Sequence, residues 1–212
     1  VFRDGTEAWY EPLTLWRVQS AIPVVPSFAR LPEHAVEKAC ATLMDGSGVF
    51  RPVLLRKAFI ECEQQQPGLS TWVGRRIARA NDDAARGFGM AMAMAIWTAF
   101  SQHFGNRIRT MATGDCTTVE GILHADKEMR QIDPNVTLES DDIIAVHQPE
   151  IAKLVRASME ETLATDVEEQ PDSDPIDVDE VDAVYRMLLV EVLALSYAVV
   201  PLEHETGSVL VN

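Results

Sequence analysis

The stretch GFGMAMAMAIWTAFSQHFG, residues 87 to 105, runs nineteen positions without a formal charge. On a helix, Phe88, Met92, Ile96 and Phe100 form one i, i+4 row, and Met90, Met94 and Trp97 form a second. Gly87, Ala91, Ala95 and Thr98 make a third stripe, of small residues. The Met–Ala alternation also matches the period of a strand, but Ala and Met are good helix formers and poor strand formers. A helix apolar on every side is either buried among other helices or lies in a bilayer. A bilayer span needs about 20 consecutive strongly apolar residues. This run is rich in Ala and Gly and thins out at Ser101, Gln102 and His103. It therefore predicts a buried helix over 87–104, with the small-residue stripe as the place where another helix comes close.

The counterpart lies at 181–200, VDAVYRMLLVEVLALSYAVV, and is the first candidate for that approach. Arg186 and Glu191 interrupt it, which argues against a membrane span, and Asp182 is spaced to pair with Arg186 one turn on. Between and before these two, prolines and caps punctuate further helices. Pro32 opens one that runs to about Met44 and closes at Asp45-Gly46. Pro52 starts another, to about Gln65, which Pro67-Gly68 breaks. Ser70 is placed to cap a helix carrying Trp72, Val73, Ile77 and Ala80. Asn81-Asp82-Asp83 is either the cap of the central helix or a polar turn within a longer one. Residues 106–116 read as a loop, and Thr117-Thr118-Val119-Glu120 has capping-box spacing for a helix over 118–131 that Pro134 ends. Ser140-Asp141-Asp142 opens a short helix. Pro149 starts a stronger one, with Ile151, Leu154, Val155 and Ser158 on one face.

The ends differ in character. Residues 1–12 read as a small β-hairpin turning at Asp4-Gly5, or as an irregular arm pinned by Trp9. A short helix over Leu13–Ala21 follows, stopped by Pro23 and Pro26. Residues 166–180, DVEEQPDSDPIDVDE, hold eight acidic residues and two prolines and read as an acidic linker. Pro201 ends the last helix, and 207–211 reads as a terminal strand or extended tail. The sequence has no repeat of recognisable period. The expected fold is all-α: a multi-helix bundle around the buried helix 87–104. Its parts are an N-terminal arm (1–30), a helical core (31–165), the linker (166–180), and a C-terminal helix and tail (181–212) packing back on the core.

Charge is the most informative bulk property. Residues 1–111 carry thirteen Lys/Arg and ten Asp/Glu, a net of +3, whereas 112–212 carry five and twenty-three, a net of −18. An acidic surface repels phosphates, so nucleic-acid binding by the C-terminal half is not expected. Three scattered cysteines fit a reducing compartment, cytoplasmic or within a soluble assembly, rather than a disulfide framework. No secretory h-region opens the chain, and a first residue of Val points to preceding residues.

Arg75, Arg76, Arg79 and Arg86, with Arg107 and Arg109 beyond the central helix, are the one basic concentration. A solvated helix face, with Arg79 near Asp82 and Asp83 and Trp72 under Arg75 or Arg76, is its plainest reading. The functional reading is a dock for an acidic segment such as the linker's Asp172, Asp174, Asp177 and Asp179. Glu120, His124 and Glu128 share one helical row with the chemistry of a divalent-metal site. Nothing completes it, so a solvated face is expected there. Asp126 sits within an apolar arc, as a buried catalytic acid can, but Arg130 four residues on is placed to neutralise it. His34, His103, His147 and His204 read as structural, Cys40 and Cys62 as core, and Cys116 as the exposed thiol. Nucleophile elbows, phosphate loops, zinc motifs and dinucleotide fingerprints are missing from the sequence. No cofactor or metal is therefore expected. The reading is of a non-enzymatic structural or assembly subunit, virion-like or otherwise, whose partners are other protein subunits or copies of itself. A soluble adaptor whose acidic half meets a basic partner is the alternative, and a helical enzyme with a site outside known motifs is the third.

Overall fold

A computed structural model describes residues 20–132, 139–165 and 176–202. Among them the chain is all-α, with eight α-helices, two 3-10 turns and no strand. The helices are α1 (Glu33–Leu43), α2 (Pro52–Gln65), α3 (Pro67–Ile77), α4 (Asp83–Phe104), α5 (Thr113–Ile132), α6 (Ser140–His147), α7 (Pro149–Thr165) and α8 (Val178–Ala198). The hairpin expected over 1–12, most of the linker and the tail beyond 202 lie outside the described residues. So does the helix expected over 13–21, except for Ser20 and Ala21, which are not helical.

Helix α4 is the core element. Phe88, Met92, Met94, Ile96, Trp97 and Phe100 are all buried, and it packs against α8, α1, α2, α7 and α3. It starts at a true cap, because the Asp82 carboxylate accepts the Ala85 N–H at 2.7 Å. Among the described residues no helix is long and apolar enough to cross a membrane.

Several boundaries differ from expectation, each for a local reason. Helix α3 begins at Pro67, whose missing N–H costs nothing at a first helical position. Ser70 lies inside that helix and returns its hydroxyl to the Pro67 carbonyl at 3.1 Å. Helix α5 begins at Thr113, ahead of the expected capping box, because Asp115 reaches back to the Ala112 N–H at 2.9 Å. Thr117 and Thr118 then bond carbonyls one turn behind them, as hydroxyls within a helix do. Helix α8 starts inside the expected linker, at Val178, where Asp177 caps the Asp179 and Glu180 N–H groups.

A close approach of α8 to α4 falls on Gly89, outside the expected stripe, whereas Gly87 at the head of that stripe is open. A methyl group on Gly89 would lie 2.8 Å from Val184 Cγ1, whereas one on Gly87 would touch nothing within 4 Å.

The two halves of the chain repeat one order: a 3-10 turn (Ser27–Ala29, Gly105–Arg107), an extended step, then four helices. Gln66 closes α2 with φ −135° and ψ 65°, and Gln148 closes α6 with φ −134° and ψ 66°. A proline follows each glutamine and opens the next helix. Both glutamines are buried, and each clamps the extended step of the other half. Gln66 accepts from Met111 N–H at 2.8 Å and donates to Arg109 O at 3.1 Å. Gln148 accepts from Leu31 N–H at 2.9 Å and donates to Ala29 O at 2.7 Å and to Ser196 Oγ at 2.8 Å. The N-caps of α4 and α8 also meet, with Asp177 N–H donating to the Asp82 carboxylate at 3.3 Å. Gly89 and Val184, which touch, each stand seven residues past their cap. Such reciprocity is what a twofold arrangement produces. The sequence hides it because the spacing drifts: 80 positions separate Leu31 from Met111, 82 separate Gln66 from Gln148, and 95 separate Asp82 from Asp177.

Candidate functional site

Helices α3, α5, α6 and α8 enclose a cleft of about 440 Å³. Its floor is apolar, from Trp72, Leu123, Met187, Leu189 and Val190, because α3, α5 and α8 each turn an apolar stripe inward there, whereas α6 contributes polar Ser140 and Asp141. Its rim is charged and largely paired within itself, with Lys127 outside any ion pair among the described residues. The Arg76 guanidinium lies over the Trp72 ring at 5.3 Å and binds Glu120 at 2.5 Å. Arg186 binds Asp182 at 2.8 Å, as the spacing predicts. On the α6 side, the Tyr185 hydroxyl donates to Asp141 at 3.2 Å, and Arg156 reaches Asp141 at 3.2 Å and Asp142 at 3.6 Å. Burial, followed by the Asp141 charge, pushes the Tyr185 hydroxyl above its usual range. Contact with Tyr185 raises Arg156 further still. The cleft thus combines an apolar floor with a mixed-charge rim, most of whose acids and bases are engaged with one another.

The six arginines do not form one patch. Helix α4 separates Arg86 from Arg107 by about 30 Å at a rise of roughly 1.5 Å per residue. Arg86 bonds the carbonyls of Ala80 and Asn81 and pairs with Asp83. Arg79 was the expected partner of that acid. Arg107 stacks on Phe104 and bonds the Val200 and Phe28 carbonyls, and Arg109 pairs with Asp115 at 2.9 Å. Arg75 and Arg79 are exposed, and neither joins an ion pair among the described residues. Of the linker acids, Asp172 and Asp174 lie outside the described residues. Asp177 caps α8, and Asp179 is exposed in its first turn. The acid that meets the arginine-bearing turn is Glu180, which accepts from Asn81 Nδ2 at 3.0 Å and from Asp82 N–H at 2.6 Å. Arg76 and Arg79 line a smaller recess together with Glu180.

The row of Glu120, His124 and Glu128 divides. Glu120 goes to Arg76, and His124 meets Glu128 at 3.3 Å on an exposed surface. Asp126 is fully buried and heavily bonded. It accepts from Arg130 Nε at 2.6 Å and Nη2 at 3.2 Å, from Ser140 Oγ at 2.6 Å, and from Ser20 Oγ and Ala21 N–H at 2.8 Å each. Burial alone would raise its pKa, but these donors outweigh burial and hold it below the ordinary value. Asp126 thereby ties residues 20–21, α5 and α6 together. Cys116 is buried rather than exposed, because the early start of α5 turns it inward. Burial, then the nearby Glu191, pushes its thiol up to about 12.

Sequence reasoning missed Glu191 and the two clamping glutamines. Glu191 is fully buried in the middle of α8, and neither carboxylate oxygen has a hydrogen-bond partner. Burial holds its carboxyl well above the usual range. Its signal in the sequence was one acid flanked on both sides by apolar residues, read there only as an interruption. The signal for the glutamines was the Gln-Pro pair, which occurs at both junctions. Comparison with protein families, with curated proteins and with solved structures finds no match to this chain.

Proposed function

We propose that the protein is a non-enzymatic assembly subunit of a larger protein complex, joined through its acidic segment 166–180 and the arginine-bearing end of α3. One observation supports this reading above the rest. The anchored end of that segment, at Asp177 and Glu180, lies against Asn81 and Asp82, close to the exposed Arg79, which joins no ion pair among the described residues. Tethering places an acidic segment at high local concentration beside exposed guanidinium groups, its own or those of a neighbouring copy. The test is light scattering of the purified protein across a salt series. Association at low salt that weakens as salt rises, and that is lost on deleting 166–175 or in the Arg75→Glu, Arg79→Glu double variant, supports the proposal. A protein that is monomeric at every salt concentration, or whose association ignores both changes, overturns it.

The cleft between α3, α5, α6 and α8 favours a second reading, an adaptor that receives an amphipathic segment from a partner. Its apolar floor gives that reading a driving force that salt does not screen. Leu123→Asp would then abolish capture of the partner while leaving the salt-dependent association intact.

A further inference from the structure

Outside that cleft, two histidines face each other. His34 stands in the first turn of α1 and His103 in the last turn of α4, and these helices pack directly on one another. Their ring centroids are 5.9 Å apart with an interplanar angle of 69°. We propose that His34 and His103 form a two-histidine site for a late first-row divalent cation such as Zn²⁺ or Ni²⁺. With metal–nitrogen bonds of about 2.0–2.1 Å, two imidazoles on one tetrahedral ion hold their centroids roughly 5–5.5 Å apart. The observed separation is within reach of a small side-chain turn, because both residues are exposed. Imidazole suits Zn, Ni and Cu, and the remaining positions go to water. No group of three or more His, Cys, Asp or Glu side chains among the described residues is placed to hold an ion, so the pair is the whole protein contribution.

The surroundings fix the two rings in place and add one favourable dipole. Both ligands sit on packed helices, which place them more firmly than loops would. The His103 ring is held edge-on to Phe104, with centroids 4.6 Å apart. The C-terminal carbonyls of α4 carry partial negative charge beside His103. Arg107 is the opposing charge, but its guanidinium is turned over Phe104 into the carbonyls of Val200 and Phe28. Metal binding requires a neutral imidazole.

Calorimetric titration of the intact chain with Zn²⁺ and with Ni²⁺ at pH 7.5 tests the site, with a thermal melt at each endpoint. The expected result is one tight equivalent that raises the melting temperature. His34→Ala and His103→Ala each weaken that event by about tenfold or more. His124→Ala leaves it unchanged, which separates the site from the exposed His124–Glu128 pair. Absence of binding to the wild type, or binding that survives in both His34→Ala and His103→Ala, overturns the proposal.

Discussion

Glu191 and Asp126 are both fully buried acids, and their surroundings drive them in opposite directions. Asp126 is ionised among five donor contacts, whereas Glu191 has no partner and is held protonated by burial. For Glu191 the native state binds a proton that the unfolded chain has lost. Its contribution is therefore undiminished below the ordinary carboxyl pKa. Above that value stability falls as pH rises toward the raised native value, by at most about 1.4 kcal/mol per pH unit. Glu191→Gln removes that fall, so urea midpoints of variant and wild type should lie closest below the ordinary carboxyl pKa and separate as pH rises above it. For Asp126 the sign is reversed: its contribution is present above the ordinary Asp pKa and is lost as pH falls through the lowered native value. Asp126→Ala deprives Arg130, Ser20, Ser140 and the Ala21 N–H of one shared acceptor. Near neutral pH the loss should be about 3–5 kcal/mol by denaturant unfolding, the range for breaking a buried ion pair.

At the scale of elements, proline marks the helix starts best. Pro52, Pro67 and Pro149 each open a helix. A proline's effect on its own backbone is local, so Pro52 and Pro149 could be read without knowing the fold. Pro67 was read as a break because Gly68 follows it. Gly68 serves close contact instead: a methyl group there would lie 2.3 Å from the Met111 carbonyl oxygen and 2.7 Å from the Thr113 nitrogen. Backbone atoms cannot turn aside as side chains do. Gly68→Ala should therefore cost about 1–3 kcal/mol in a thermal or urea melt, despite alanine's better helix propensity. The hydroxyl signals failed for the opposite reason to the prolines. Ser70, Thr117 and Thr118 have the composition of caps, but a hydroxyl within a helix is equally satisfied by the carbonyl one turn back. The candidate site was legible only where both partners lie on one helix, as with Trp72 and Arg76, Asp182 and Arg186, and Asp126 and Arg130. The cleft, the Glu180 contact and the glutamine clamps join residues tens to more than a hundred positions apart, and spacing carries no record of them.

For the whole molecule, the reciprocal clamps predict a single cooperative unit. Each half completes hydrogen bonds that the other half cannot supply for itself. Gln148→Ala strips the Leu31 N–H and Ala29 carbonyl of their partner and should cost about 2–4 kcal/mol, with a similar loss in Gln66→Ala. Both variants should lower one shared urea midpoint, with circular dichroism and tryptophan fluorescence coincident. Two separate transitions would show that the halves fold independently. The contact between Gly89 and Val184 takes this further. In a symmetric pair of identical chains, two residues meeting on the twofold axis would have to be the same. Two valines would collide at this spacing, and two glycines would leave a gap. Joining both halves in one chain frees each position to differ, so the broad side chain on α8 settles against the bare backbone of α4. Two identical residues at this contact could not make that match.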